Sequence, residues 1–134
     1  MSYKSRKRDR LPPFVPFYWE ILNSKAYIEL PPSASKALVY FLGRVRLNIR
    51  DAQRYLTDFS FSYREGNRLG FSLATFSKVI QDLIRFGFVD PVDKGGLRGD
   101  CKSNNVFRLS KRWEVYGKPN FELLEWKTFE PRKK

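Results

Sequence analysis

Residues 70–90 read GFSLATFSKVIQDLIRFGFVD, and this stretch decides the predicted fold. Its apolar side chains recur at the i, i+3, i+4 and i+7 positions of one helical face, occupied by Phe76, Val79, Ile80 and Leu83. At about 100° per residue, the opposite face carries Ala74, Lys78, Gln81 and Arg85. Ser72 is suited to cap this helix and Gly87 to end it. The pattern predicts an amphipathic helix with a polar outer face.

The composition indicates a globular chain with a strong positive charge. The chain has 134 residues, a length typical of one domain, and 42% of them are hydrophobic, which is too many for a disordered protein. Twenty-six lysines and arginines oppose 14 acidic residues, so the net charge is +12. Such a charge favours polyanionic partners, either nucleic acid or an anionic membrane surface, although it can also serve solubility alone.

Several chemistries are excluded by residues that the chain lacks. It has no histidine, so a Ser-His-Asp triad, a Cys-His pair and an imidazole metal site are all impossible. Cys101 is the only cysteine, so neither an intrachain disulfide nor a cysteine-rich zinc site can form. Asp90 and Asp93 belong to no recognisable acidic motif and are expected in a solvated loop. We therefore expect no enzymatic activity, no metal and no cofactor.

The sequence predicts a cytoplasmic protein with no membrane partner. No apolar run approaches the roughly 18 residues of a membrane span. The charged start MSYKSRKRDR is followed by LPPFVPFYWEIL, in which three prolines and a glutamate interrupt what would be the apolar part of a signal peptide. A lone cysteine is also typical of a reducing compartment.

The residues before position 58 predict an arm, an extension and a first helix. Residues 1–10 are expected to form a mobile basic arm whose cations are Lys4, Arg6, Lys7, Arg8 and Arg10. Residues 11–32 are rich in proline and aromatic side chains, with a short strand expected at 25–30. Ser33 is expected to cap a helix that ends near Asn48. Residues 50–57 are polar and predict a connection.

Two short elements are predicted between that helix and the opening stretch. Residues 58–62 alternate, with Phe59 and Phe61 on one side, which favours a half-buried strand. Ser62 and Glu65 fit the capping-box spacing, in which each side chain bonds to the other residue's backbone amide. A helix over 63–69 is expected to follow and to end at Gly70.

The residues after the opening stretch predict a β-hairpin and a packed C-terminal arm. One strand begins at 88–89, and another spans 105–110 with Phe107 and Leu109 on one face. The loop between them is rich in glycine and carries Lys94, Arg98 and Lys102. Residues 111–134 form an arm that is too aromatic for a free tail. Its Trp126 and Phe129 are expected to be buried within the chain or in a homodimer.

This order of elements resembles the winged helix-turn-helix superfamily. The residues that carry the resemblance are Ser62, Leu69-Gly70, Ser72, Thr75 and the exit Leu83-Ile84-Arg85-Phe86-Gly87-Phe88-Val89. The strand exit NVFRLSKRW at 105–113 looks like that of winged-helix modules in phage and mobile-element replication proteins. The resemblance covers residues 33–110 and implies an α+β fold: a three-helix core, a small antiparallel sheet and a hairpin wing. Gly66 departs from the pattern, because glycine weakens a helix by about 1 kcal/mol relative to alanine.

The resemblance implies binding to double-stranded DNA, by a transcriptional regulator or an accessory replication factor of a mobile element. The major groove is about 12 Å wide and accepts one helix, while phosphate contacts from the wing set the orientation. The candidate DNA-binding residues are Ala74, Thr75, Ser77, Lys78, Gln81, Lys94, Arg98 and Lys102. A homodimer would match a two-fold operator.

Other interpretations stay open at this point. A polar outer face is typical of any surface helix, and the glycine-rich loop can be a plain hairpin connection. Winged helices also serve as protein–protein interaction modules that do not touch DNA. The aromatic side chains are expected in the core, but an aromatic platform can also stack on single-stranded bases.

Overall fold

The computed structural model describes residues 13–47, 50–94 and 105–127. Within these ranges the fold class is α+β, as predicted, with five α-helices and a three-stranded antiparallel sheet. The helices are α1 (Trp19–Leu22), α2 (Lys25–Glu29), α3 (Pro32–Leu42), α4 (Tyr63–Arg68) and α5 (Leu73–Arg85). The strands are β1 (Phe59–Ser60), β2 (Val89–Asp93) and β3 (Val106–Leu109). None of the helices in the described ranges has the length and apolarity that crossing a bilayer requires.

The strand predicted at residues 25–30 is wrong, because this segment forms α2. Ser24 caps the helix, since its side-chain oxygen accepts a hydrogen bond of 3.1 Å from Tyr27 N. The segment then buries Ala26 completely and half-buries Tyr27. A serine cap satisfies an amide that a short helix would otherwise leave unpaired, and this local signal favours the helix.

Both predicted ends of the next helix are also wrong. Helix α3 begins at Pro32 with Pro31 as its cap residue, two positions before the predicted Ser33 cap. Proline suits the first turn, where its missing N–H would have no partner. The helix ends at Leu42 with Gly43 as its C-terminal cap residue. Beyond this end, the carbonyls of Val45 and Leu47 accept hydrogen bonds from buried Arg54. Arg54 lies in a 3-10 helix (Ala52–Tyr55) within the predicted connection.

Phe41 of α3 is at the centre of the hydrophobic core. Its ring stacks on Phe61 with a centroid distance of 4.3 Å, and it also contacts Phe59, Phe76 and Phe107. These partners come from β1, the residue after it, α5 and β3. One aromatic cluster therefore joins the helices to the sheet, as expected for the aromatic residues.

The sheet has the strand order β1-β3-β2, with both pairs antiparallel. Phe107 pairs with Phe59 on one side and with Pro91 on the other. Pro91 is tolerated because β2 is an edge strand, where a missing N–H need not break a ladder. Asp90 and Asp93, predicted as solvated loop residues, belong to β2, and Asp90 pairs with Arg112 at 2.7 Å. The loop prediction is therefore wrong for both aspartates.

The predicted turn between α4 and α5 is confirmed in its local geometry. Ser62 and Glu65 form the capping box at the start of α4. Gly70 has φ +100°, which an L side chain rarely adopts, and Ser72 caps α5 by accepting from Thr75 N. Gly87, also at positive φ, follows the end of α5. The two helices are thus joined by a tight turn that ends at a serine cap.

The C-terminal arm packs on the same chain. Trp126 is 2% exposed, and its ring centroid lies 5.4 Å from that of Phe107. Arg112 links the arm to the rest of the domain. Its guanidinium donates hydrogen bonds to the carbonyl of Glu122 in the arm and to the carbonyls of Ile84 in α5 and Val89 in β2. The expected burial of Trp126 is therefore intramolecular. Phe129 lies outside the described residues.

Candidate nucleic-acid interface

Helix α5 has the two faces that its sequence predicts. Phe76, Val79, Ile80 and Leu83 are at most 1% exposed and contact the core. On the other side Ala74, Lys78 and Arg85 are exposed and Gln81 is half-buried. Of the two remaining predicted contact residues on this helix, Thr75 is exposed and Ser77 is half-buried. The structure therefore brings five predicted residues together on or beside one surface of α5.

The first turn of α5 presents small polar and apolar groups. Ser72 uses its side-chain oxygen twice, as an acceptor from Thr75 N and as a donor to the Thr75 hydroxyl. Leu73, which follows the cap, is 53% exposed. Methyl groups of alanine and threonine, together with a leucine side chain, can contact the thymine methyl in a major groove. The sequence interpretation did not include Leu73, although its place at the first helical position was visible.

Lys78 is paired with an acid on its own helix. Its Nζ lies 3.1 and 3.3 Å from the two carboxylate oxygens of Asp82, one turn further along α5. The lysine side chain is 69% exposed, whereas that of Asp82 is only 6% exposed. Both residues line an open cleft of about 360 Å³ between α5 and the start of α3. The sequence analysis missed Asp82, although the i, i+4 spacing could have indicated the pair.

Gln81 offers less to a ligand than its outward position suggested. Its Oε1 is buried and has no hydrogen-bond partner among the described residues. Glutamine reads adenine by donating and accepting at once, which needs both ends of the amide. In this rotamer Gln81 cannot do so, and a two-bond contact requires its side chain to rotate.

The C-terminal arm approaches the last turn of α5. Glu125 lies 3.8 Å from Arg85, and both side chains are partly exposed. Tyr116 stacks on Phe86, directly after the helix, at a centroid distance of 5.0 Å. Acidic and aromatic groups therefore flank the C-terminal end of α5.

Lys94 is bound to the arm and is not a free cation. Its Nζ donates to the carbonyls of Trp126 and Lys127 at 2.8 and 3.2 Å, and it lies 5.0 Å from the Trp126 ring centroid. This position differs from that of an exposed loop lysine contacting phosphate. The other predicted loop cations, Arg98 and Lys102, lie outside the described residues. So do the cations of the basic arm, Lys4, Arg6, Lys7, Arg8 and Arg10.

Helix α4, which contacts α5, carries two arginines that the sequence analysis did not single out. Arg64 and Arg68 are exposed on α4, one turn apart. In the described ranges neither side chain has a hydrogen-bond or ion-pair partner, in contrast to Lys78, Lys94 and Arg112. Their i, i+4 spacing on a helix that the capping box already predicted would have been sufficient to find them.

Glu65, the acidic residue of α4, is neutralised internally. Burial acts to raise its pKa, but hydrogen bonds from Ser62 N and from Arg44 outweigh burial, so the pKa lies below its ordinary value of 4.5. Arg44 also lies over the Phe61 ring at 4.3 Å. The carboxylate is therefore ionised and fully engaged near neutral pH, and it does not oppose an approaching phosphate as a free charge would.

The surface of α4 and α5 carries groups that can donate hydrogen bonds and attract anions. Among the described residues, no three cysteine, aspartate or glutamate side chains are placed to hold one metal ion. Comparisons of the chain with models of protein families, with curated proteins and with solved structures returned no match. Its function is therefore inferred from the geometry and charge of this surface.

Proposed function

We propose that this protein binds double-stranded DNA as a cytoplasmic winged helix-turn-helix protein, with α5 in the major groove. It would act as a transcriptional regulator or as an accessory replication factor of a mobile element. The order of α3, β1, α4, a tight turn, α5 and the β2-β3 pair supports this assignment. In that fold the connection between β2 and β3 is the wing.

The observation that carries the proposal is the free outer face at the start of α5. A helix with its side chains is about 10–12 Å across, close to the 12 Å width of the major groove. Ala74, Thr75 and Lys78 are exposed on this half of α5, while the opposite face is anchored in the core. A rigid helix that presents short side chains and one cation is suited to reading base edges.

Two cations on α4 support the same placement of α5 in the major groove. Arg64 and Arg68 are exposed and unpaired in the described ranges, so no internal ion pair has to break before they contact phosphate. Arginine binds phosphate with two parallel hydrogen bonds, which fixes orientation as well as adding affinity. We assign them the role of phosphate contacts that hold α5 in register, within a chain of net charge +12.

Binding of the full chain to labelled duplexes tests the proposal. A preferred site is first selected from a random pool, and affinities are then measured by fluorescence anisotropy for that site, a random duplex and an equal-length single strand. Lys78→Ala is expected to cost about 1–3 kcal/mol on the selected site and little on random duplex, because base contacts carry specificity. Gln81→Ala is expected to cost less, because its Oε1 is buried.

Lys118→Ala is the matched control, since it removes one exposed lysine outside α4 and α5. It should leave the preference for the selected site unchanged. If the folded wild-type chain binds no duplex, or prefers the single strand, the groove assignment is wrong. A protein-interaction role would be the better explanation of this surface if no nucleic acid binds, and single-strand binding would be if the single strand is preferred.

A further inference from the structure

We propose that Asp82 makes Lys78 a reader of guanine and prevents it from acting as a general phosphate anchor. The inference rests on the proposed binding of DNA by α5 and adds the identity of one base and the residue that selects it. Asp82 is a positioning residue in this scheme, since it acts through the Lys78 ammonium.

The two side chains differ sharply in exposure. Asp82 is 6% exposed and accepts both hydrogen bonds from Lys78, and the described residues supply no other donor to its carboxylate. Without the ammonium, this nearly buried carboxylate would have no donor from the described residues in its place, and leaving a buried charge unpaired is costly. The lysine, in contrast, is 69% exposed and would be well hydrated if it were free. The ion pair is therefore maintained mainly by the cost of leaving the Asp82 carboxylate unpaired. We expect the pair to persist when DNA binds.

Pairing changes what Lys78 can recognise. A free lysine is a flexible point charge, and any phosphate within reach satisfies it. An ammonium held against both oxygens of a carboxylate has little net charge left for a phosphate. It has three donors, and the third points away from the carboxylate. At the outer surface of a helix in the major groove, this donor meets base edges.

Guanine is the base that fits such a donor. Its O6 and N7 are adjacent acceptors in the major groove, and the pair of lysine with guanine is among the commonest specific contacts. Thymine and adenine each offer a single acceptor there, and cytosine offers a donor that the ammonium would repel. A tethered ammonium therefore discriminates between bases, while the neutralised charge reduces binding to random sequence.

Asp82→Asn in the full chain tests this assignment. The amide retains the shape and one acceptor but removes the charge, so Lys78 becomes free to contact phosphate. On a random duplex the variant is expected to bind more tightly, and its slope of log affinity against log salt should steepen by about 0.9 for the added phosphate contact. On the site selected by the wild type, preference over random duplex is expected to fall about tenfold.

A modified base identifies the atom that is read. The guanine in the selected site is replaced by 7-deazaguanine, which lacks the N7 acceptor. The wild type is expected to lose affinity, whereas Asp82→Asn and Lys78→Ala should bind both sites equally. In the Lys78→Ala background, adding Asp82→Asn should have no further effect on base preference, because no ammonium remains to be positioned.

Glu125→Gln is the matched control for charge. It also removes one carboxylate from a pair with a cation of α5, since Glu125 lies 3.8 Å from Arg85. Like Asp82→Asn, Glu125→Gln is expected to bind random duplex more tightly than the wild type. Its loss of affinity on 7-deazaguanine should remain that of the wild type. If Asp82→Asn unfolds the chain, Asp82→Glu restores the charge and should retain both the wild-type slope and the guanine preference.

The outcomes separate this inference from the proposed function. If the wild type selects a duplex site but Asp82→Asn keeps its salt slope and its sensitivity to 7-deazaguanine, Asp82 does not position Lys78. A selected site without a guanine opposite Lys78 overturns the inference as well. Absence of all duplex binding by the wild type overturns the proposed function itself.

Discussion

Gly66 determines how closely α4 approaches α5. A Cβ at this position would lie 2.5 Å from Cγ of Phe76, well inside van der Waals contact with the ring. Phe76 is fully buried among Phe41, Phe61 and Phe71, so it cannot move aside easily. The glycine that weakens α4 as an isolated helix therefore permits the close packing of α4 on α5.

Gly66→Ala is accordingly expected to destabilise the protein, although alanine is the better helix former. Overpacking of a filled core costs about 1–3 kcal/mol, more than the roughly 1 kcal/mol of helix propensity gained. Urea denaturation measures the change in the free energy of unfolding. Arg64→Ala, at an exposed position of the same helix, should change it by less than about 0.5 kcal/mol. A stabilised Gly66→Ala protein would contradict this packing.

Glu65 makes the turn region sensitive to acid. Its pKa is lowered in the folded protein, so its stabilising effect is fully present above the ordinary value of 4.5. That effect is lost as the pH falls through the lower folded pKa, because protonation removes the attraction to Arg44. Glu65→Gln retains the hydrogen bonds of the capping box but not the charge.

The variant should therefore be less stable than the wild type at pH 7, by about 0.5–1 kcal/mol for a partly exposed pair. The difference should vanish once the wild-type carboxylate is protonated. Unfolding free energies measured from pH 7 down to pH 3 check this. Glu114→Gln, at an exposed position, should behave as the wild type throughout. A difference that persists at low pH would point to packing rather than charge.

Elements whose boundaries depend on local chemistry could be predicted from the sequence. Helices α4 and α5 carry their own caps, their own glycine at the end and, for α5, a clear apolar period. The path of the chain after α3 could not be predicted, because Arg54 reaches back over nine residues to the carbonyl of Val45. The position of Lys94 depends on residues 32 and 33 positions further along the chain, and no spacing rule gives that contact.

The C-terminal arm is an integral part of the core. Trp126 covers Phe107 on the sheet, and the carbonyls of Trp126 and Lys127 hold Lys94 at the end of β2. The arm thus links the edge of the sheet to the last turn of α5. It fixes the base of the proposed wing relative to the proposed recognition helix.

Trp126→Ala is expected to lower the free energy of unfolding by about 3–5 kcal/mol, as for other large aromatic residues removed from a core. Leu123→Ala on the same arm is the control, because Leu123 is 56% exposed and should contribute little. Denaturation with urea distinguishes the two. Sedimentation should give the same mass for wild type and Trp126→Ala, because the burial is intramolecular. Equal stabilities would mean that the arm does not pack as described.

At the scale of the whole molecule, the positive charge is not evenly available. Within the described ranges, Arg44, Lys78, Lys94 and Arg112 are engaged by carboxylates or carbonyls, whereas Arg64 and Arg68 are free. Net charge predicted a polyanionic partner but could not predict which cations reach it. That distinction depends on burial and on pairing, both of which appear only when the chain is folded.

The N-terminal residues supply five further cations and one acid within residues 2–10. Each phosphate that a bound cation neutralises contributes about −0.9 to the slope of log affinity against log salt on duplex DNA. If these cations contact phosphate, deleting residues 2–10 should flatten the slope and weaken selected and random duplexes by similar factors. The deletion should not change base preference, because the segment has no pattern that would fix a geometry.

Lys94→Ala is the comparison variant for the deletion of residues 2–10, because it removes a cation that is already bound to carbonyls of the C-terminal arm. Lys94→Ala should lower the stability of the protein and leave the salt slope unchanged. Replacing Arg98 and Lys102 together should flatten the slope if the predicted wing contacts the DNA backbone. Anisotropy titrations at several salt concentrations, each paired with a denaturation curve, separate these effects. A deletion of residues 2–10 that leaves affinity and slope untouched would show that this charge serves solubility or a protein partner.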